Sequence, residues 1–166
     1  IKQQDMRYKA LLVAGGNVVD SSEYIKTSTT VHDVSVRLLM LIAARNDLGL
    51  MAGDIGNAFP TAPNMEKVWT VAGPEFGELE GRSLIIIRSL YGLKSSMARW
   101  HEALSDKLRV IGFLPSYADP DLWLRDAGDH YEYISIYSDD LLVFSKRAKE
   151  ILQCLSTLFP LRELDS

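Results

Sequence analysis

Residues 131–144 read YEYISIYSDDLLVF, and the pattern of this stretch decides the fold. Tyr131, Tyr133, Ser135 and Tyr137 alternate with Glu132, Ile134, Ile136 and Ser138, the two-residue period of a strand with unlike faces. A second apolar run, Leu141–Phe144, follows at once. Two such runs so closely joined read as an antiparallel hairpin with Ser138 and Asp139 as its central residues. Aspartate tolerates the left-handed backbone that these turns often need. Asp139 and Asp140 at the tip repel one another unless a cation neutralises them. A hard cation with oxygen ligands fits, magnesium above all when phosphates complete its shell.

A third acid, Asp54, ends the short apolar run Leu50–Ile55 within LMAGDIGNAF. If it lies alongside the hairpin, three carboxylates can hold two metal ions, the arrangement used for in-line phosphoryl transfer. The pair at 139–140 also has a purely local explanation, because aspartate favours turns whether or not it binds anything. The buried character of the flanking strands favours the cation.

At 166 residues, nearly half of them apolar, the chain is expected to form one domain or part of one, with a real core. It has no run of eighteen apolar residues, so no membrane span is expected. It opens IKQQDMRYK, without an initiator Met or a signal peptide, as a piece of a longer polypeptide would. One Cys and three scattered His exclude a disulfide framework and a zinc site. Cys154 falls in an apolar helical pattern and reads as a core residue. A net charge of −4 runs against a basic nucleic-acid footprint, although an acidic metal cleft explains part of it.

Outward from the hairpin, Thr30–Asp33 fits a helix start with Asp33 as the acid of a capping box. Val34, Leu38, Leu41, Ile42 and Leu48 keep helical spacing up to a stop at Gly49. Val68–Ala72 and Ser83–Ser89 are strand candidates separated by an acidic, glycine-rich loop. Met97, Trp100, Leu104, Leu108 and Ile111 mark one helix face ended by Gly112, and Asp121–Arg125 is a short strand. Ala148, Ile151, Leu152, Leu155, Leu158 and Phe159 mark a last helix ended by Pro160. His101 reads as surface or packing. The order implies an α+β layer, an antiparallel sheet with helices on one face and the other face open to a ligand.

These blocks, in this order, resemble the reverse transcriptases of copia-type long-terminal-repeat retrotransposons. YKALLVAGG (8–16) is similar to the family's fingers strand, and GDIGNAF (53–59) to its first catalytic block. KVWTVAGPEFG (67–77), SLYGLKSSMARWHEAL (89–104), ADPDLW (118–123) and YSDD (137–140) follow in register. The resemblance implies a polymerase palm, a ferredoxin-like antiparallel sheet, with partial fingers. Residues 1–49 would be partial fingers and 50–166 palm, with fingers elements inserted around 60–95; thumb and RNase H would be absent. It implies deoxynucleotidyl transfer with two Mg2+ ions on Asp54, Asp139 and Asp140 and the Ile55 carbonyl. Phe59, Tyr91, Gly92 and Lys9 match nucleotide-binding positions, with Phe59 excluding a 2′-hydroxyl and Gly92 admitting close backbone approach. Tyr137, Ser138 and Lys94 match positions beside primer and template. The partners implied are an RNA or DNA template with its primer, deoxynucleoside triphosphates, and a polyprotein carrying integrase and RNase H. The implied location is a cytoplasmic virus-like particle.

Four positions depart from the family's pattern. Leu11 stands for an expected arginine, Pro60 for a residue such as Leu, Met97 for a small residue or Pro, and Ser138 for an apolar residue. Pro60 is expected to bias Phe59 toward extended backbone. Ser138 should loosen packing against the primer and the nucleotide sugar. The departures motivate an alternative, a catalytically inactive remnant that keeps the fold. A receiver domain is disfavoured by the absence of alternating parallel βαβ units.

Overall fold

A computed structural model describes residues 12–14 and 30–164, of which 162–164 are described by their backbone only. In chain order the elements are α1 (Asp33–Arg45), β1 (Gly49–Ile55), α2 (Ala58–Thr61), β2 (Trp69–Val71), β3 (Ser83–Ile85), α3 (Ser96–Val110), β4 (Leu114–Pro115), β5 (Leu122–Asp126), β6 (Tyr131–Tyr137), β7 (Asp140–Ser145), α4 (Ala148–Ser156) and β8 (Leu161–Leu164). Six strands form one sheet in the order β4-β5-β6-β7-β1-β8, with every neighbour antiparallel, while β2 and β3 form a separate ribbon. The architecture is a mixed α and β one built on an antiparallel sheet.

The 131–144 stretch folds as its alternation requires. Tyr137 pairs with Asp140 across the turn, and Ile134 and Ile136 pair with Val143 and Leu141. These four aliphatic side chains are buried on the face covered by α3 and α4. From α3, Trp100, Leu104 and Leu108 come down onto them at four-residue spacing, one stripe of a helix. Each such burial contributes about 1.5–3 kcal/mol. Lys107 and Arg109 in the last turn of α3 complement its carbonyl end. Gly112, at φ 89°, lets the chain leave the helix.

Several expectations are corrected. The opposite face of the sheet is covered in part, because α1 lies on it and packs Leu39 and Ala43 against Phe144, while the end beside Asp140 stays open. Of the stripe expected to be buried, Val34, Leu38 and Leu41 point away, at 76%, 53% and 57% exposed, while Ile42 is half-buried and Leu48 packs beside Phe144. This helix is apolar on nearly every side, so periodicity alone does not choose its buried stripe. It ends at Arg45, and Gly49 starts β1 instead. No capping box forms. The first turn is capped from afar by Asp119, whose Oδ2 accepts the His32 amide at 3.0 Å and the Ser35 hydroxyl at 2.5 Å. Burial pushes the Asp119 carboxyl up, but the Ser35, His32 and Asp121 hydrogen bonds outweigh it and lower its pKa.

The Ser83–Ser89 strand shortens to β3, since beyond Ile85 the chain turns to a single bridge between Arg88 and Pro63. The acidic loop before it contains short 3-10 turns across Pro74–Leu79. Cys154 is exposed, on the outer side of α4. His101 has a partner, its Nε2 lying 2.6 Å from Oδ1 of the buried Asp121.

At the open end of the hairpin, Glu132 is fully buried. Its Oε2 accepts Arg125 Nε at 2.7 Å and its Oε1 accepts the Ser145 hydroxyl at 2.8 Å, with Arg147 at 3.3 Å. Burial pushes this carboxyl up; the Arg125 and Ser145 hydrogen bonds and the two guanidinium charges outweigh it and lower its pKa.

Candidate active site

Asp54 and Asp140 stand directly opposite one another on neighbouring antiparallel strands. Directly paired residues share a face, with Cα atoms roughly 4.5–5.5 Å apart. Asp139 occupies the turn that leads into Asp140, and its carbonyl accepts the Ile55 amide at 2.9 Å. The two remote acidic segments therefore meet at one end of the sheet. The left-handed residue of the turn is Ser138, at φ 59°, rather than Asp139. A β-branched side chain would be strained there, and serine is tolerated better.

The electrostatics agree with the geometry. The pKa of Asp140 is raised, first by burial and then by the charges of Asp139 and Asp54. The charges acting on it are both negative, so a cation would relieve them. As the side chains stand, no group of three His, Cys, Asp or Glu among the described residues is gathered closely enough to hold a metal ion. The chemistry of the donor set suits a hard divalent cation.

Tyr91 stands beside this cluster, its hydroxyl pKa raised by burial and then by Asp139 and Asp54. Its ring meets that of Phe59, with centroids 4.6 Å apart. Phe59 is not extended, because it lies inside the single turn of α2. Pro60 follows it in the first turn of that helix, where a missing N–H is harmless. Gly92 has φ 90°, and a Cβ there would come within 2.0 Å of the Ala14 carbonyl oxygen. The close approach observed is thus to the chain itself: Ala14 donates its amide to Tyr91 O at 2.7 Å. Lys94 is exposed on the same loop, and Tyr137 is exposed beside Asp140. Lys9 and Leu11 lie outside the described residues.

A groove of about 370 Å³ opens next to Asp140, between the start of α1 and the sheet, lined by Val31, Val36, Ala52, Ser135 and Tyr137. Missing from the sequence reading is the polar end of Trp100. Its Nε1–H donates to the Ser138 carbonyl at 2.9 Å. An amphipathic pattern registers tryptophan as apolar and carries no signal of where its one donor points.

Comparison with known proteins bears on this geometry. The sequence profile of a family described as reverse transcriptase (RNA-dependent DNA polymerase) matches residues 1–164. The chain is 28% identical over 164 residues to the retrovirus-related Pol polyprotein from transposon RE2 of Arabidopsis thaliana, covering 95% of this chain and 11% of that protein. It is 30% identical over 141 residues to the corresponding polyprotein from transposon RE1 of the same plant, covering 82% and 10%. To that from transposon TNT 1-94 of Nicotiana tabacum it is 28% identical over 149 residues, covering 85% and 11%. The chain spans about a tenth of the length of these relatives. No solved structure matches it.

Proposed function

Because the chain belongs to the reverse transcriptase (RNA-dependent DNA polymerase) family, with Pol polyproteins of copia-type transposons among its relatives, we propose that it is the catalytic core of such a polymerase. It extends a primer on an RNA or DNA template with deoxynucleotides. The observation that carries this reading is the register that sets Asp54 opposite Asp140, with Asp139 in the adjoining turn.

In this reading the six-stranded sheet is the palm. Residues 1–49 and the elements around 60–95 belong to the fingers. A longer polyprotein with integrase and RNase H supplies what a templated primer needs besides, within a cytoplasmic virus-like particle.

Asp54, Asp139 and Asp140, with the Ile55 carbonyl, would hold two Mg2+ ions, which when bound lower the pKa of the primer 3′-hydroxyl and neutralise the triphosphate. The carboxylates supply the negative charge that gathers those cations. Phe59, braced by the Tyr91 ring, forms a wall that leaves no room for a 2′-hydroxyl. Lys94 contacts a phosphate, and Tyr137 and Ser138 lie against the primer end.

Titration calorimetry with Mg2+ and a deoxynucleoside triphosphate, comparing the parent with Asp139→Ala, tests the reading. A clear heat in the parent and its loss in the variant are expected; equal heats would sink it. The departures at Leu11, Pro60 and Ser138 motivate the alternative, an inactive remnant that keeps the fold. That alternative requires no Mg2+-dependent heat in either protein.

A further inference from the structure

The Ser138–Asp139 turn lies between β6 and β7, and its two carbonyls are held differently: one by the β1 ladder bond that accompanies the Asp54–Asp140 pairing, the other by a side chain. The Ser138 oxygen accepts the Trp100 indole N–H at 2.9 Å, and the Asp139 oxygen accepts the Ile55 amide at 2.9 Å. These carbonyls belong to the two peptide planes that flank Asp139. Fixing both planes fixes the backbone angles of Asp139, and with them the direction of its side chain.

The indole is itself enclosed by packing. Trp100 is 1% exposed in the middle of α3, and the Phe159 ring meets it edge-on at 5.3 Å. Ser138 holds φ 59°, a conformation an L residue keeps only when its surroundings impose it. A ring without a donor would fill the same core but leave the Ser138 carbonyl facing it without a partner.

We infer that Trp100 is a positioning residue: its indole N–H, by holding the Ser138 carbonyl, aims Asp139 toward Asp54. The inference rests on the proposed polymerase reading for the use made of those carboxylates. The anchoring itself is measurable without it.

The test replaces Trp100 with β-(3-benzothienyl)alanine, which keeps the ring shape and removes the N–H, and, separately, makes Trp100→Phe. Amide hydrogen exchange of the full chain is followed by NMR without divalent cations. The amides of Ile55, Tyr137 and Asp140 should exchange roughly three- to tenfold faster, as the loss of one buried hydrogen bond implies, while those of Leu104 and Leu108 keep their rates. Unchanged hairpin rates would overturn the inference. So would equal acceleration throughout α3 and the sheet, which is what a merely structural role produces. If Trp100→Phe does not fold, the benzothienyl chain carries the comparison. In the unmodified chain the Trp100 indole proton should be protected; exchange at the rate of a free indole would also overturn the inference. Since no metal is present, failure of the calorimetric test above leaves this result readable.

Discussion

Glu132→Ala removes the acid at the root of the acidic hairpin. The carboxylate is fully buried and joins Arg125, Arg147 and Ser145. Taking one partner from a buried ion pair costs about 3–5 kcal/mol, because the other charge is left without compensation. Here Arg125 is 28% exposed and Arg147 more so, and both regain some water. The expected cost is therefore about 2–3 kcal/mol. With a urea dependence of about 1–3 kcal/mol per M, the unfolding midpoint should fall by roughly 0.7–3 M, and the melting temperature by about 4–12 °C. The pH dependence follows from the lowered pKa of Glu132. A carboxyl whose native pKa is depressed adds stability above its unfolded value of about 4.3 and loses that stability as pH falls through the native value. The variant should lose less stability than the parent across that acid limb. Urea unfolding at pH 7 and at steps below pH 5 measures both effects. Replacing the pair together, Arg125→Met with Glu132→Leu, should recover most of the loss. A single variant within about 0.3 kcal/mol of the parent, smaller than any buried-pair cost, would refute the reasoning.

Asp119→Ala leaves the first turn of α1 without its distant cap and should cost about 1–2 kcal/mol, read by urea unfolding, with faster exchange of the His32 amide. Gly92→Ala meets both a positive φ and the Ala14 carbonyl, so it should cost about 1–3 kcal/mol and expose the Ala14 amide to exchange. Ser138→Val should destabilise by about 1–2 kcal/mol and Ser138→Gly by much less in the same assay, because only the first fights the left-handed turn.

The hairpin and its acids were legible because their signal is local: alternation names the strands, and the two residues between them name the turn. The meeting of Asp54 with Asp140 was legible only through the ordered blocks, since no spacing rule pairs residues so far apart. What escaped was decided by tertiary contact. The apolar surround of α1 let Leu39 and Ala43 be passed over for Val34 and Leu38. Nothing local marks Asp119 as a cap for α1, and only the fold brings it to His32. β4 and β8 are too short or too mixed to alternate visibly, and Cys154 differs from its buried neighbours only by its angle around α4. For His101 the partner was twenty residues away, beyond any helical spacing.

In the sheet order β1 lies between β7 and β8, although it precedes both by most of the chain. During translation Asp54 therefore emerges long before Asp140. At about 5–20 residues per second the delay is several seconds to more than ten. Throughout that interval β1 has neither neighbour, and Asp54 stands without Asp140 opposite it. A product terminated before β7 thus cannot set Asp54 against Asp140, whatever it has made of the rest of the sheet.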